Sequence, residues 1–272
     1  MEVYRGPVKL VILDWAGTTV DYGCYAPMVV FVEVFRCRGV DISVAQARQP
    51  MGMAKKDHIR AISEIPEVAA EWRRIHGAPC AEPDVAQMFE EDFRPLQVAC
   101  IGRYAGLIPG TLEAVGALRE KGIAIGTTTG YFTEAAEVNV VEAKKQGYAP
   151  DANVCASDVP AGRPAPWMVF RNMEATGVFP PEAVVKVGDT RLDIGEGLNA
   201  RTWTVGLSRT GNEVGLTEEE LAALADEDRR LRVARVEQRL KEAGAHSVVA
   251  SIADVPGAVE EIEGRLKGGE RP

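Results

Sequence analysis

Six short apolar runs constrain this chain more than any other feature: VKLVILD (8–14), GIAIGTTTG (122–130), ANVCAS (152–157), AVVKVGD (183–189), RTWTVGL (201–207) and HSVVASI (246–252). Each has the length of a strand, and each is nearly continuous in apolarity instead of alternating. That is the pattern of strands buried on both faces, as in a parallel sheet. Between them lie helical segments: TLEAVGALREKG (111–122), TEAAEVNVVEAKKQG (133–147) and PAPWMVFRNMEATG (164–177). The first two close on glycine, and the third opens on prolines, which a first helical turn tolerates. From residue 105 onward this β–α alternation predicts an α/β fold with a doubly wound parallel sheet. The charged segment 217–244 reads as one long outer helix or a pair of them.

Residues 24–103 break the rhythm. APMVVFVEVFRCRG, ISVAQARQPM, KKDHIRAISEI, PEVAAEWRRIHG and EPDVAQMFEEDFRPLQVACIG follow one another with no strand-like run between them. The expected organisation is therefore an α/β core made of 1–23 and 104–272, carrying an inserted all-helical cap at 24–103. The insert leaves the core directly after the first strand. It would sit over the carboxyl ends of the strands, where open α/β sheets bind ligands. The apolar stretch 26–35 suits either the core of such a cap or a surface for a second copy of the chain.

Composition narrows the function. With 46% hydrophobic and 26% charged residues in 272, a sizeable core is affordable and disorder is not favoured. A formal charge of −9 and a pI near 5.1 speak against nucleic acid and anionic membranes as partners. The five cysteines are scattered with no C-x-x-C, as expected of reduced thiols. No run approaches the ~20 apolar residues of a membrane span, and the N-terminal apolar run is too short for a signal peptide. The expected location is the cytoplasm. There is no P-loop, no G-x-G-x-x-G after a strand and no H-E-x-x-H.

The polar residues cluster where the strands end. The first strand delivers Asp14, followed by Gly17, Thr18 and Thr19. The second delivers Thr127, Thr128, Thr129 and Gly130, the third leads to Gly162 and Arg163, and the fourth to Gly188, Asp189, Thr190 and Asp193. In a parallel sheet these ends share one edge. A nucleophilic carboxylate at Asp14, phosphoryl-oxygen ligands at Thr129 and Arg163, and a hard-cation site for Mg²⁺ at Asp14 and Asp189 together make a phosphoryl-transfer site. Asp193 is expected one layer behind the metal. Thr18 and Thr19 are expected to cap the following helix, with backbone N–H groups facing phosphate.

These four motifs, D-W-A-G-T at Asp14–Thr18, Thr129, Arg163 and G-D-T-x-x-D at Gly188–Asp193, resemble those of the haloacid dehalogenase-like superfamily of phosphotransferases. Most phosphatases of that superfamily carry a second aspartate two residues after the nucleophile, to protonate a leaving alkoxide. Here that position is Ala16. With DWAGTTVDYGCYAP, PMGMAKKDHIRA and GTTTGYF, the substitution makes the chain similar to one family over nearly its whole length, the phosphonoacetaldehyde hydrolases or phosphonatases. The resemblance implies hydrolysis of 2-phosphonoacetaldehyde to acetaldehyde and phosphate, with Mg²⁺, a lysine Schiff base and a homodimer. The backbone carbonyl of Ala16 can still face the metal.

The missing acid suits that chemistry. A C–P bond breaks toward carbon, and a carboxylic acid nearby helps little. If an amine first condenses with the aldehyde, the protonated imine accepts the electron pair and the leaving group becomes an enamine. Lys55 and Lys56 are the candidates; they lie about 100° apart on a helix, so geometry alone does not choose between them. The resemblance places the imine on Lys55. His58, one turn on, is a candidate proton shuttle. Gly52 permits close approach of cap to core. Met51, Cys24, Thr128 and Tyr131 are candidates for contacts with the substrate. The rival readings are a phosphomonoesterase or sugar-phosphate mutase, against which Ala16 speaks, and a non-catalytic phosphate-binding module.

Overall fold

The computed structural model describes residues 3–272. A six-stranded sheet runs in the order β3-β2-β1-β4-β5-β6, with every neighbouring pair parallel. Its strands are β1 (Leu10–Asp14), β2 (Ala124–Thr129), β3 (Ala152–Cys155), β4 (Val184–Gly188), β5 (Trp203–Leu207) and β6 (Ser247–Val249). All six apolar runs thus form strands of the doubly wound sheet.

Successive residues of β1 explain why its run does not alternate. Val11 and Leu13 pack with Val185, Val187, Trp203 and Val205 on one face, under helices α7 (Thr111–Glu120) and α13 (Val255–Lys267). Leu10 and Ile12 pack on the other face with Val184 and with Val169 and Met173 of α9 (Trp167–Thr176). Every residue of β1 is buried. Each large aliphatic side chain so buried contributes about 1.5–3 kcal/mol. Helix α9 starts at Trp167 rather than at Pro164, because Pro164 and Pro166 lie in the turn that precedes it. Helix α8 (Thr133–Lys145) follows β2. Helix α10 (Arg191–Asn199) follows β4, and the charged segment forms a pair, α11 (Glu218–Ala223) and α12 (Asp226–Glu242), broken at Leu224–Ala225.

Residues 24–103 are helical throughout their regular structure: α1 (Tyr25–Cys37), α2 (Val44–Arg48), α3 (Lys55–Ser63), α4 (Pro66–His76) and α5 (Glu82–Gln87), which runs through a π-helical turn (Met88–Phe93) into α6 (Arg94–Ile101). The apolar stretch 26–35 forms the core of this unit. Ala26, Pro27, Met28, Val30, Phe31, Val34 and Phe35 of α1 are buried, and the cluster extends to Ile59, Ile62, Trp72, Met88 and Phe93. Tyr131, Phe132, Ala135 and Ala136 of the α/β layer join the same cluster, so the cap is seated on the core through shared apolar surface.

The chain passes between the two units twice, and the crossings are tied together. Val20 forms an antiparallel bridge with Leu107, Asp21 N–H donates to the Gly106 carbonyl (3.2 Å), and Ile108 N–H to that of Thr19 (2.9 Å). In the first crossing Asp21, Gly23 and Cys24 all have positive φ. Thr18 and Thr19 do not cap a helix, contrary to expectation. The Thr19 hydroxyl donates to the Asp14 and Trp15 carbonyls, and the N-terminus of α1 is capped by the Asp21 carboxylate, which accepts from the N–H groups of Tyr25 and Ala26 at 2.9 Å each. An aspartate three residues further on fits because the turn after β1 delays the helix until Tyr25.

Two glycines set the distance between cap and core. A Cβ on Gly130 would lie 2.4 Å from the Met53 carbonyl oxygen, and one on Gly52, at φ +97°, would lie 2.7 Å from Thr190 Oγ1. The first clash is with backbone and cannot be relieved by a rotamer change. Gly130→Ala should therefore lift the cap loop 49–54 off the sheet edge. We expect limited proteolysis of that loop to accelerate by about tenfold, the equivalent of about 1.4 kcal/mol of local opening, with the melting of the α/β core unchanged.

Candidate active site

Asp14 ends β1 between β2 and β4, in register with Thr128. Gly17, at φ +83°, lets the following turn fold back against Asp189; a Cβ there would sit 2.7 Å from Asp189 Oδ2. Arg163, on the loop after β3, reaches across this edge and is held by it. Its Nη2 donates to Asp14 Oδ1 (2.8 Å), to the Thr128 carbonyl (2.9 Å) and to Thr128 Oγ1 (2.7 Å). Its Nη1 lies 3.2 Å from Asp193 Oδ1, and its Nε donates to Glu196 Oε2 at 3.0 Å.

Two residues of this network gave no signal as site residues. Lys186, in the middle of β4, is wholly buried and donates from Nζ to Asp193 Oδ1 (2.7 Å), lying 3.6 Å from Glu196 Oε2. Glu196, on α10, also accepts from the Thr128 hydroxyl at 3.1 Å. The available clue was the lysine inside an otherwise apolar strand, AVVKVGD: a cation buried on both sides needs partners. Thr128 accordingly lies beneath Arg163 rather than on the wall of the cavity described below.

The electrostatics follow from this packing. Burial pushes the Asp189 carboxyl up to about 8, and the neighbouring Asp14 and Asp193 add to the rise. Burial pushes Asp193 up too, but Arg163 and Lys186 outweigh it and hold this carboxyl below the usual range. Burial also raises Glu196 against the pull of Arg163 and Lys186.

Asp14, Asp189 and Asp193 each offer an oxygen, all within 4.8 Å of one another. Asp193 spends Oδ1 on Lys186 and Arg163, and Oδ2 on the N–H and hydroxyl of Thr190. Asp189 accepts on Oδ2 from the Asn212 N–H (2.7 Å) and the Cys24 thiol (3.5 Å), while its buried Oδ1 has no hydrogen-bond partner among the described residues. A buried oxygen without a donor, beside a second carboxylate, is the donor chemistry of a hard divalent cation. The residues therefore fit a Mg²⁺ held by Asp14 and Asp189, with Asp193 fixed behind them.

The cap closes the other side. Asp14, Ala16, Cys24, Pro27, Met51, Gly52, Lys55, Thr129, Gly130, Tyr131, Arg163, Asp189 and Thr190 surround one small cavity of about 20 Å³. Lys55, at the start of α3, is 6% exposed. Its Nζ lies 4.5 Å from the centre of the Tyr131 ring and 5.9 Å from that of Phe31. Burial draws its pKa down to about 8, against the pull of Asp14, and Arg163 adds to the lowering. Lys56 points away, 40% exposed and 2.6 Å from Glu82. The two lysines that sequence geometry left equivalent are thus separated by the fold.

His58 is buried but outside the cavity wall. Its ring stacks on Phe31 with centroids 3.7 Å apart, its Nε2 lies 2.8 Å from the Ala47 carbonyl, and its Nδ1 has no partner among the described residues. Burial, with Lys55 nearby, lowers its pKa well below the usual value, so the ring is neutral. The Thr129 hydroxyl accepts from Tyr131 N–H at 3.2 Å, and the Tyr131 hydroxyl is buried without a partner among the described residues.

Over residues 8–201 the sequence matches the family model of haloacid dehalogenase-like hydrolases. A phosphonoacetaldehyde hydrolase of Syntrophobacter fumaroxidans is 52% identical over 269 residues, 99% of this chain and 97% of the relative. The chain belongs to the phosphonoacetaldehyde hydrolase family. Another member, from Bacillus cereus, is 46% identical over 94% of this chain and 97% of its own. The crystal structure of a phosphonoacetaldehyde hydrolase-like protein from Oleispira antarctica superposes with a TM-score of 0.98 at 39% identity, covering 100% of this chain and 98% of that one. As a phosphonoacetaldehyde hydrolase by family, the protein is an enzyme on the haloacid dehalogenase-like fold. Among the described residues no helix is long and apolar enough to cross a membrane.

The buried network under Asp14 makes a stability prediction. Removing one partner leaves uncompensated charge in the interior, at a cost of about 3–5 kcal/mol. Lys186→Met should lower the unfolding free energy by that order in urea titration. The double variant Lys186→Met/Glu196→Leu should recover part of it, because the second substitution removes one of the carboxylates left exposed to burial.

Proposed function

We propose that this protein hydrolyses the C–P bond of 2-phosphonoacetaldehyde to acetaldehyde and phosphate, through an imine on Lys55 and a phosphoryl group carried on Asp14. The observation that carries this reading is a buried lysine and a strand-end aspartate on the wall of one small cavity, with Ala16 where an ester hydrolase needs an acid. The curated relatives named for this activity support it.

Burial supplies the neutral amine. With a pKa of about 8, roughly 10% of Lys55 is uncharged at pH 7, against below ~0.1% for a free lysine. The amine adds to the aldehyde carbon, and loss of water gives a protonated imine. The Asp14 carboxylate then attacks phosphorus, the C–P electron pair forms a C=C bond, and the π pair of C=N⁺ settles on nitrogen to give an enamine. Protonation of the enamine carbon restores an imine, which water hydrolyses to acetaldehyde and free Lys55; a second water releases phosphate from Asp14. Arg163 aims Asp14, and Thr129 and Arg163 line the place for phosphoryl oxygens. Met51, Cys24 and Tyr131 shape the aldehyde end, and Gly52 lets them close on it. His58, neutral, can relay protons only through its free Nδ1. Mg²⁺ held by Asp14 and Asp189 beside the Ala16 segment would offset the charge of carboxylate and phosphonate where they meet. The seated cap excludes water while the imine exists. The assembly proposed is a homodimer of cytoplasmic location.

Borohydride reduction in the presence of phosphonoacetaldehyde should inactivate the enzyme and label the peptide bearing Lys55. A label elsewhere overturns the assignment. Lys55→Ala should lower kcat/KM by about 10³-fold or more, about 4 kcal/mol of barrier, while Mg²⁺ binding persists and Lys56→Ala stays near wild type. Because the amine must be neutral to attack, the labelling rate should fall about tenfold per pH unit below pH 8 and level off above it. Chelation of divalent cations should abolish phosphate release, and added Mg²⁺ should restore it.

A further inference from the structure

Arg48, the last residue of α2, touches no cavity residue's reacting atom, yet it joins three parts of the molecule. Its Nη1 donates to the Gly23 carbonyl at 2.6 Å and the Cys24 carbonyl at 3.4 Å, both in the first crossing between core and cap. The same nitrogen donates to Asn212 Oδ1 at 3.0 Å, in the core loop after β5, and Asn212 Nδ2 returns a bond to the Arg48 carbonyl at 3.2 Å. The backbone N–H of Asn212 is the 2.7 Å donor to Asp189 Oδ2. One arginine thus links cap, hinge and the loop that aims a metal-facing carboxylate.

Three further observations argue for a working part rather than a packing residue. The guanidinium is poorly satisfied: Nε and Nη2 are buried without hydrogen-bond partners among the described residues, which makes Arg48 an inefficient stabiliser. Its charge instead rests over the Tyr25 ring, 5.1 Å from the centroid, and the Tyr25 hydroxyl donates across to Glu220 of the core at 2.6 Å. Finally, Arg48 stands seven residues before Lys55, with only the loop of Met51 and Gly52 between them. Fixing Arg48 to Asn212 therefore fixes where that loop meets the core.

We propose that Arg48 is a positioning residue that couples closure of the cap to the aim of Asp189, acting through Asn212. Closing the cap seats Arg48 on Asn212; seating Asn212 presents its N–H to Asp189 Oδ2 and leaves Oδ1 free for the cation. By reciprocity, a cation bound at Asp189 favours the closed cap. This rests on the reading of Asp14 and Asp189 as cation ligands, but not on the imine chemistry.

The test uses the full chain with Mg²⁺ alone and no substrate. Arg48 and Asn212 also line an outer cleft, so Arg48→Ala opens no sealed core; unchanged far-ultraviolet dichroism and melting confirm folding. Mg²⁺ affinity by calorimetry should weaken about tenfold in Arg48→Ala and in Asn212→Ala, at the lower end of what loss of an outer partner costs a metal site. Hydrogen exchange over residues 20–25 should accelerate in both variants. Mg²⁺ should slow that exchange in wild type and much less in the variants. In turnover, KM should rise more than kcat falls, because saturating substrate can still drive closure. Arg48→Lys, with one point charge for a fork, should fall between. Mg²⁺ affinity within twofold of wild type in a folded Arg48→Ala overturns the proposal, as does faster hinge exchange with no change in Mg²⁺ binding. Failed borohydride labelling alongside the Mg²⁺ shift would strike the imine reading and leave this one standing.

Discussion

The buried charge cluster at the carboxyl edge of the sheet is the constraint on which the rest of this structure depends. Asp14, Asp189, Asp193 and Glu196 are all buried there, and the cationic side chains among them are Arg163 and Lys186. Four carboxylates cannot share a low-dielectric space without compensation. With all four ionised, two cations offset half of the charge; the raised Asp189 carboxyl, with its orphaned oxygen, marks where the deficit is concentrated. A divalent ion at that point would bring the cluster to neutrality. The requirements of packing and of phosphoryl chemistry therefore coincide: the charge imbalance the fold tolerates is the one that a hard cation removes.

The same cluster bears on why the lysine proposed to form the imine stands on the helical segment and not on the sheet. The lysine of the core, Lys186, lies among these carboxylates, 2.7 Å from Asp193 and 3.6 Å from Glu196. Lys55 instead enters from an apolar and aromatic wall, between Phe31 and Tyr131, where desolvation outweighs the attraction of Asp14. Two buried lysines in one protein thus have opposite surroundings. One is surrounded by acceptors and neutralises acids. The other faces rings and is easily deprotonated. Dividing the site between the sheet edge and the helical segment keeps these two environments apart.

Much of this was legible in the sequence. Continuous apolar runs identify strands buried on two faces, and the polar residues at their ends gather at one edge, because parallel strands all end on one side. The stretch 24–103 is readable as an insert since no strand interrupts its helices. What the sequence hid was pairing at a distance. Lys186 and Glu196 look like one stray charge in a strand and one ordinary helical acid, and only the fold brings them together under Arg163. Thr128 looks like a neighbour of the ligand for the same reason that Thr129 does, yet strand alternation turns it downward. The helix cap was misplaced for a local reason: the turn after β1 is longer than a simple strand-to-helix junction, so Asp21 takes the part expected of Thr18 and Thr19. Lys55 and Lys56 differ only by which side of α3 meets the core.

The paired crossings between the units carry a mechanical consequence. Two independent tethers would let the cap slide, tilt and twist. These two are stitched side by side through Val20 and Leu107, Asp21 and Gly106, and Thr19 and Ile108. Here the segment leaving the sheet and the segment returning to it are paired like the two sides of a zip, so neither can shift along the other without breaking these links.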